Sequence, residues 1–459
     1  MNYISTRGEG SPVSFEEAML RGLAPDGGLY MPDHWPQLPE GWQEAMKDAT
    51  YADFAYFVAE AFAGESFEAD ELRTIVTRAY AGFDDPVVAP LRELEDGLYL
   101  LELFHGPTFA FKDFAMQMLG HLFEAALTRR GERRTIVVAT SGDTGAAAVE
   151  AFAGRIGVDL FVMHPEGRIS DAQRRQMTSC TAANVHNIAV EGSFDDCQRV
   201  LKSLFADDAF REEVHLGAVN SINWARIMAQ TAYYLSTLAR LERHAAFSVP
   251  TGNFGDIFAG YVAKRMGAQL GPLVIATNTN DILHRTLKTG TYKVEGASPT
   301  LSPAMDIQVA SNFERLLFDL MDGDASTLKD QMAQLVATGE FALRPDAHER
   351  MRQMFRSSRV SDEEILAEIA RAHETYGVLI DPHTAVGLRA EREALSGVPA
   401  PHVVLSTAHP AKFAETVERA TGQTPQIPAK LARLMAAEER FDRLPPDEGE
   451  IMAYVRARI

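Results

Sequence analysis

The chain has 459 residues, of which 46% are hydrophobic and 24% charged, and its 44 basic and 64 acidic residues give a net charge of -20. This length predicts two or three domains of about 100–200 residues, and the composition is typical of a globular protein rather than a disordered one. The acidic balance argues against nucleic acid or an anionic membrane as a partner, because both attract a basic face.

Membrane, disulfide and metal patterns are also missing from the sequence. The first residues lack the apolar core of a signal peptide, and no apolar run approaches the roughly 20 residues that span a bilayer. Cys180 and Cys197 match neither a disulfide framework nor a metal motif, and His164 and His383 are more typical of structural histidines than of metal ligands. We therefore expect a soluble, cytoplasmic protein without a metal site.

The first ninety residues do not alternate regularly between strand and helix. Turn signals occur at 25–28 and 31–33, and Ser14 followed by Glu17 predicts the start of a helix over 14–20. We interpret residues 1–94 as an N-terminal region that packs on the remainder of the chain.

From about residue 95 the sequence alternates between short apolar runs and amphipathic stretches. The predicted strands are 135–140, 160–163, 185–190, 247–249, 273–277 and 402–406. The predicted helices are 146–153, 170–177, 194–205, 223–243, 256–266 and 412–419, and 316–374 is mostly helical. This alternation predicts an α/β fold of two doubly wound parallel-sheet lobes, which we place at 95–245 and 246–459, with the ligand beyond the carboxyl ends of the strands.

A lysine set among phenylalanines is the first segment that carries chemistry. Lys112 follows Phe109 and Phe111 and precedes Phe114. An apolar surround disfavours the charged form of a lysine and makes its amine nucleophilic, which suits a Schiff base with an aldehyde cofactor. A surface lysine whose stem lies on aromatic rings has the same pattern, and this segment alone favours that interpretation.

Two glycine-containing turns lie between a strand and a helix. The first is Ser141-Gly142-Asp143-Thr144-Gly145, where backbone N–H groups at a helix N-terminus suit a carboxylate or a phosphate. The second is Pro250-Thr251-Gly252-Asn253-Phe254-Gly255-Asp256, whose glycines allow the backbone to approach a phosphate closely. The second matches neither the Walker nor the dinucleotide pattern and is more typical of a dedicated phosphate site. For the first, a purely structural turn remains an alternative.

Two further segments hold polar groups near predicted strand ends. Ser406 and Thr407 end a strand, and a hydroxyl there suits a ring nitrogen of a cofactor or an ordinary helix cap. Asn223 and Arg226 lie one helical turn apart and can face one anion, although an arginine paired with a surface carboxylate is the common alternative.

Taken together, these segments resemble the threonine synthase family, pyridoxal-phosphate enzymes of the tryptophan-synthase-β-like fold (fold type II). The resemblance runs over nearly the whole chain and includes Tyr3-Ile4-Ser5-Thr6-Arg7-Gly8, the Phe-Lys-Asp-Phe context of Lys112, and 22–30, 140–145, 220–226, 251–256, 276–281, 303–307 and 406–413. The glycine turn and the lysine are shared by many enzymes of this fold, whereas the N-terminal segment is more particular to the family.

The resemblance implies a role for each candidate residue. Lys112 would hold pyridoxal 5'-phosphate covalently and later transfer protons. Thr407 would hydrogen-bond the pyridine nitrogen. The cofactor phosphate would be surrounded by Gly252, Asn253, Phe254, Gly255 and Asp256. The substrate carboxylate would lie near Ser141, Gly142, Asp143, Thr144 and Gly145, and the substrate phosphate near Asn223 and Arg226.

The implied activity is that of a carbon–oxygen lyase of threonine biosynthesis. It would convert O-phospho-L-homoserine and water to L-threonine and phosphate, with the cofactor as electron sink. The main alternative is a related lyase that releases 2-oxobutyrate, ammonia and phosphate from the same substrate, and another is a silent binding protein that retained the fold. The oligomeric state, monomer or homodimer, stays open.

Overall fold

The structure is a computed structural model that describes residues 1–459. The strands are β1 (Tyr3–Ser5), β2 (Tyr30–Pro32), β3 (Leu91–Glu95), β4 (Leu98–Glu102), β5 (Arg134–Ala139), β6 (Val158–Pro165), β7 (Val185–Val190), β8 (Leu216–Gly217), β9 (Ala246–Pro250), β10 (Leu273–Thr277), β11 (Thr291–Lys293), β12 (Glu340–Ala342), β13 (Phe355–Arg359), β14 (His402–Ser406) and β15 (Asp442–Leu444). The helices are α1 (Phe15–Arg21), α2 (Trp42–Met46), α3 (Tyr51–Ala63), α4 (Ala69–Tyr80), α5 (Lys112–Arg130), α6 (Asp143–Phe152), α7 (Asp171–Thr178), α8 (Phe194–Ala206), α9 (Asp208–Glu213), α10 (Trp224–Leu241), α11 (Gly255–Arg265), α12 (Ile282–Thr289), α13 (Phe313–Leu320), α14 (Ala325–Thr338), α15 (Pro345–Met354), α16 (Asp362–Tyr376), α17 (Pro382–Ala394), α18 (Ala414–Thr421), α19 (Ala429–Met435) and α20 (Glu448–Arg456).

Two mainly parallel sheets organise the molecule, which confirms the predicted α/β fold with two sheet-based lobes. The larger sheet has the strand order β13-β10-β9-β14-β4-β3, and only its edge strand β3 is antiparallel. The smaller sheet has the order β15-β7-β6-β5-β8 and is parallel throughout. All six predicted strands are present, as β5, β6, β7, β9, β10 and β14.

The apolar runs become central strands because helices cover both of their faces. Every residue of β6 is buried, as is every residue of β9 and β10. A continuous apolar sequence is typical of such strands. Two of the helices that follow a strand of the smaller sheet begin at side-chain caps, Ser170 before α7 and Ser193 before α8.

The two sheets do not follow the expected boundaries at 95 and 246. Strand β3 lies at the end of the expected N-terminal region and β4 at the start of the expected first lobe, but both pair into the larger sheet. Strand β15, from the C-terminal segment, completes the smaller sheet. The expected helical stretch 316–374 also contributes β13 to the edge of the larger sheet. The sequence of β13, FRSSR, is polar because an edge strand is only partly covered.

The N-terminal region packs on helix α10 and becomes part of the main core. The ring of Tyr3 lies 6.0 Å from that of Trp224, and Phe62 lies 5.6 Å from the same indole. Ser14 caps α1 as predicted, accepting a hydrogen bond from the backbone N–H of Glu17. In none of the helices is there a segment both long and apolar enough to cross a membrane.

Candidate active site

A cavity of about 500 Å³ opens beyond the carboxyl ends of β5, β9 and β14. This is the position expected for a ligand in an open α/β fold. The cavity gathers most of the predicted site residues from five separate parts of the chain. Those that line it are Lys112, Ser141, Asp143, Thr144, Arg226, Gly252, Asn253, Phe254, Gly255, Asp256 and Thr407.

Lys112 is the first residue of α5 and is almost completely buried. The turn before it is fixed by Asp113, whose carboxylate accepts hydrogen bonds from the backbone N–H and the hydroxyl of Thr108, at 2.8 and 2.6 Å. Burial lowers the pKa of Lys112, although Asp143 partly opposes this effect. The alternative of an exposed lysine on aromatic rings is therefore wrong, although Nζ does lie 4.7 Å from the centroid of the Phe111 ring.

Asp143 stands between two lysines. Its Oδ1 lies 2.7 Å from Nζ of Lys412 and accepts a hydrogen bond from Nε2 of Gln173 at 2.9 Å, whereas its Oδ2 lies 3.7 Å from Nζ of Lys112. Burial alone would raise the pKa of this carboxyl, but the two ammonium groups hold it well below its usual range. Asp143 is therefore ionised next to the nucleophilic amine.

The loop between β9 and α11 forms a close-fitting backbone turn. A Cβ on Gly252 would lie 2.7 Å from the carbonyl oxygen of Ala304, so this position leaves no room for a side chain. Phe254 adopts a left-handed conformation with φ 64°, which its fully buried ring stabilises through contacts with Phe313 and Phe355. The loop leads directly into the N-terminus of α11, a favourable end of the helix dipole for a phosphate.

Asp256 follows this loop and is a buried acid. Tyr233 and Tyr234 donate hydrogen bonds to its Oδ1 at 2.5 and 3.0 Å, and its Oδ2 has no partner. Burial raises the pKa of Asp256 to about 7, against the smaller opposing effects of the two tyrosines and of Lys112. Unlike Asp143, this carboxyl is protonated over much of the acidic range.

Arg226 is a buried cation without an acidic partner. The only hydrogen bond of its side chain is a long one, 3.4 Å from Nη1 to the carbonyl oxygen of Val219, and its Nε has no partner. Burial lowers the pKa of Arg226 to about 10, so the guanidinium still carries its charge near pH 7. The alternative of an arginine paired with a surface carboxylate is wrong, and the group is available to an anion in the cavity.

Three of the predicted site residues lie outside the cavity lining. The side-chain amide of Asn223 caps α10 and donates to the carbonyl oxygens of Met19 and Ala218 at 2.7 and 2.8 Å, so it is not free for a substrate. The backbone N–H groups of Gly142 and Gly145 both donate to the hydroxyl of Thr140, each at 2.9 Å. These three residues shape the site without lining it, and of the predicted pair Asn223 and Arg226 only Arg226 faces the cavity.

His383 and Lys412 also belong to the site, although the sequence predicted only a structural role for His383 and did not single out Lys412. The backbone N–H of Ala304 donates to Nε2 of His383 at 3.3 Å, and Nδ1 lies 2.7 Å from Asp381, so the ring supports the wall opposite Gly252. His383 is structural in this sense, as predicted, but it also lines the cavity. The helix predicted over 412–419 begins instead as a 3-10 turn, Pro410–Phe413, which carries Lys412 inward.

The residues present fit pyridoxal phosphate. The amine of Lys112 faces the cavity, the Gly252–Gly255 turn offers a backbone site at a helix N-terminus, and the hydroxyl-bearing Thr407 lines the same space. The backbone of Thr407 is held close to Lys112, because the N–H of Phe111 donates to its carbonyl oxygen at 2.8 Å. A buried amine, a close-fitting backbone turn at a helix N-terminus and a threonine are thus available to a single small molecule.

Comparison with known proteins points to the same cofactor. Family models match residues 2–80 (threonine synthase N terminus), 86–342 (pyridoxal-phosphate dependent enzyme) and 384–455 (threonine synthase, C-terminal). The threonine synthase of Pseudomonas aeruginosa is 47% identical over 459 residues, covering 99% of this chain and 98% of that protein. A pyridoxal-phosphate-bound threonine synthase from Brucella melitensis has a TM-score of 0.96 at 47% identity, covering 100% of this chain and 99% of that one. The Escherichia coli threonine synthase has a TM-score of 0.85 at 30% identity and full coverage of both chains.

Proposed function

The chain belongs to the threonine synthase family of pyridoxal-phosphate-dependent lyases, and we propose that it converts O-phospho-L-homoserine and water to L-threonine and phosphate. The observation that carries the proposal is that one cavity contains both the buried amine of Lys112 and the guanidinium of Arg226, which has no acidic partner. The first suits covalent cofactor chemistry, and the second suits a substrate that carries a second anionic group.

Pyridoxal phosphate, when bound, supplies an electron sink for the negative charge that develops on substrate carbon. Lys112 would hold it covalently, the backbone of Gly252–Gly255 would bind its phosphate, and the Thr407 hydroxyl would bond its ring nitrogen. A hydroxyl carries no charge, so Thr407 would leave that nitrogen less protonated than a carboxylate partner would.

The substrate is bound through its two anionic ends. Ser141 and Thr144, at the start of α6, are placed to receive the α-carboxylate, because the helix dipole favours an anion there. Arg226 receives the phosphate and stabilises it as charge develops on the leaving oxygen. The reacting carbons are then held between these two sites, close to Lys112.

Lys112 is the acid–base group of the reaction. Its lowered pKa leaves a larger fraction of neutral amine to remove the α-proton and then a β-proton. Loss of phosphate from Cγ is followed by return of a proton to Cγ. The hydroxyl of water then adds at Cβ and a proton returns to Cα, which yields threonine. The same amine, protonated by the earlier steps, would return the proton to Cγ.

Product analysis tests this proposal. The protein with bound cofactor is incubated with O-phospho-L-homoserine, and phosphate, threonine and 2-oxobutyrate are measured together. We expect equal amounts of phosphate and threonine, and loss of both in Lys112→Ala. Lys264→Ala is the matched control, because burial also lowers the pKa of Lys264 but its Nζ bonds the carbonyl oxygen of Leu270, outside the cavity. Phosphate released with 2-oxobutyrate in place of threonine would instead establish the alternative lyase, and full activity of Lys112→Ala would contradict the proposed role of that residue.

A further inference from the structure

Lys412 is a second buried lysine at the site, and nothing in the proposed chemistry requires it. Its side chain is fully buried. Its Nζ donates to the carbonyl oxygen of Thr108 at 2.9 Å and lies 2.7 Å from Oδ1 of Asp143. A charged group that is completely removed from water is costly unless it is paired, so this lysine and Asp143 need each other.

The carboxylate of Asp143 lies closer to the ammonium group of Lys412 than to that of Lys112. The contact with Lys412 is a close ion pair at 2.7 Å, whereas Oδ2 lies 3.7 Å from Nζ of Lys112, beyond hydrogen-bond distance. Gln173 holds the carboxylate in this position through a further bond to Oδ1. Lys112 therefore faces an anion whose charge is already largely neutralised by another lysine.

We propose that Lys412 is a positioning residue. By pairing with Asp143 it keeps this carboxylate beyond hydrogen-bond distance of Lys112, so that the Lys112 amine does not bind its proton tightly. The proposal rests on the proposed function, because it assigns Lys412 a role toward the cofactor-binding lysine. An amine that pairs fully with a buried carboxylate would hold its proton firmly and would be a poor nucleophile and base.

The remaining charges around Lys112 agree with this assignment. Besides burial, Lys412 and Arg226 favour the neutral amine, whereas Asp143 and Asp113 favour the charged one. Asp113 accepts two hydrogen bonds from Thr108, and burial raises the pKa of Asp113 to about 6. Asp256, whose pKa burial raises to about 7, is occupied by two tyrosine hydroxyls. Asp143 is thus the carboxylate that most favours the charged form of Lys112, and its ion pair with Lys412 limits this effect.

The test is a pH titration of the visible absorption of the bound cofactor, which reports the proton on the nitrogen that Lys112 contributes. Loss of Lys412 in Lys412→Met frees Asp143 to pair with that nitrogen, so we expect the titration midpoint to rise by about one to three pH units. Asp143→Asn should lower the midpoint, and Lys412→Arg, which keeps the ion pair, should leave it near the wild-type value.

A double-mutant comparison separates this role from a merely structural one. If Lys412 acts through Asp143, Lys412→Met should shift the midpoint much less in the Asp143→Asn background than in the wild type. Lys430→Met is the matched control, because Lys430 also joins the C-terminal segment to α6, through Glu150, but away from the cavity.

The outcomes distinguish the inference from the proposed function. An unchanged midpoint in Lys412→Met with cofactor bound would overturn the inference alone, and so would an equal shift in both backgrounds. A visible absorption that persists unchanged in Lys112→Ala would overturn the proposed function, since Lys112 would then not be the cofactor-binding group. If Lys412→Met does not fold, the midpoints of Lys412→Arg and Asp143→Asn still decide the matter: a midpoint that Asp143→Asn fails to lower would overturn the inference.

Discussion

Replacement of Arg226 by methionine should weaken the use of substrate while it stabilises the protein. The guanidinium is buried without an acidic partner, and burial lowers its pKa from 12.5 to about 10. A difference of this size corresponds to about 3 kcal/mol, which the folded protein loses by keeping the group charged at neutral pH. Methionine has a similar length and no charge, so Arg226→Met removes this cost.

The same substitution removes the charge proposed to bind the substrate phosphate. A hydrogen bond to a charged group contributes about 1.5–3 kcal/mol, which corresponds to a decrease of about 10- to 150-fold in kcat/KM for O-phospho-L-homoserine. Inhibition by inorganic phosphate should weaken in parallel, because it depends on the same guanidinium. The free energy of unfolding, measured with urea, should increase by up to about 3 kcal/mol, less any cost of imperfect packing.

Arg240→Met is the control for both measurements. Arg240 lies on the same helix, burial also lowers its pKa, and its Nη1 donates to the carbonyl oxygen of Ala89, away from the cavity. Its replacement should leave kcat/KM unchanged. The reasoning would be refuted if Arg226→Met kept kcat/KM within about threefold of the wild type, or if the variant were clearly less stable.

Two further predictions concern Asp256 and Gly252, at the loop between β9 and α11. Asp256→Asn should remove a pH dependence of stability. The folded protein keeps the Asp256 proton up to about pH 7, whereas the unfolded chain keeps it only to about pH 4. Between these values the free energy of unfolding of the wild type should fall by up to about 1.4 kcal/mol per pH unit, and urea unfolding at several pH values should show no such loss in the variant. Gly252→Ala should weaken cofactor binding by about 5- to 150-fold in a cofactor titration, because the new methyl group has a packing cost of about 1–3 kcal/mol against Ala304. Gly82→Ala is the control, because a Cβ there meets nothing within 4 Å, and it should bind the cofactor as the wild type does. An unchanged affinity in Gly252→Ala, or a persistent slope in Asp256→Asn, would contradict the respective argument.

The central strands and the strand-end turns could be predicted from the sequence because their signals are local. An apolar run such as 273–277 bounded by turn residues specifies a buried strand, and β10 has these same bounds. The glycines of 252–255 likewise indicate a close backbone approach wherever the chain folds. The edge strand β13 could not be predicted, because its polar sequence becomes a strand only through pairing with β10.

The site residues that sequence reasoning missed depend on contacts between distant segments. Lys412 reaches Asp143 across 269 positions of sequence, and no local pattern distinguishes it from a solvated lysine at the start of a helix. Asn223 shows the opposite case. Its spacing from Arg226 suggested a shared anion, but a carbonyl oxygen from Met19, contributed by the N-terminal region, takes up its amide.

The N-terminal region is connected to the loop between β9 and α11 through one buried arginine, Arg315. Arg315 donates to the carbonyl oxygen of Tyr30 at 3.0 Å and to Oδ1 of Asn312 at 2.5 Å, and Asn312 in turn donates its backbone N–H to the carbonyl oxygen of Asn253 at 3.1 Å. Burial lowers the pKa of Arg315 to about 9, so holding this cation in place is costly. A simple hydrophobic contact would join the two regions at lower cost, whereas this hydrogen-bonded chain also orients the backbone of Asn253. Residues 1–94 are therefore connected through Arg315 to the loop between β9 and α11, although none of them lines the cavity.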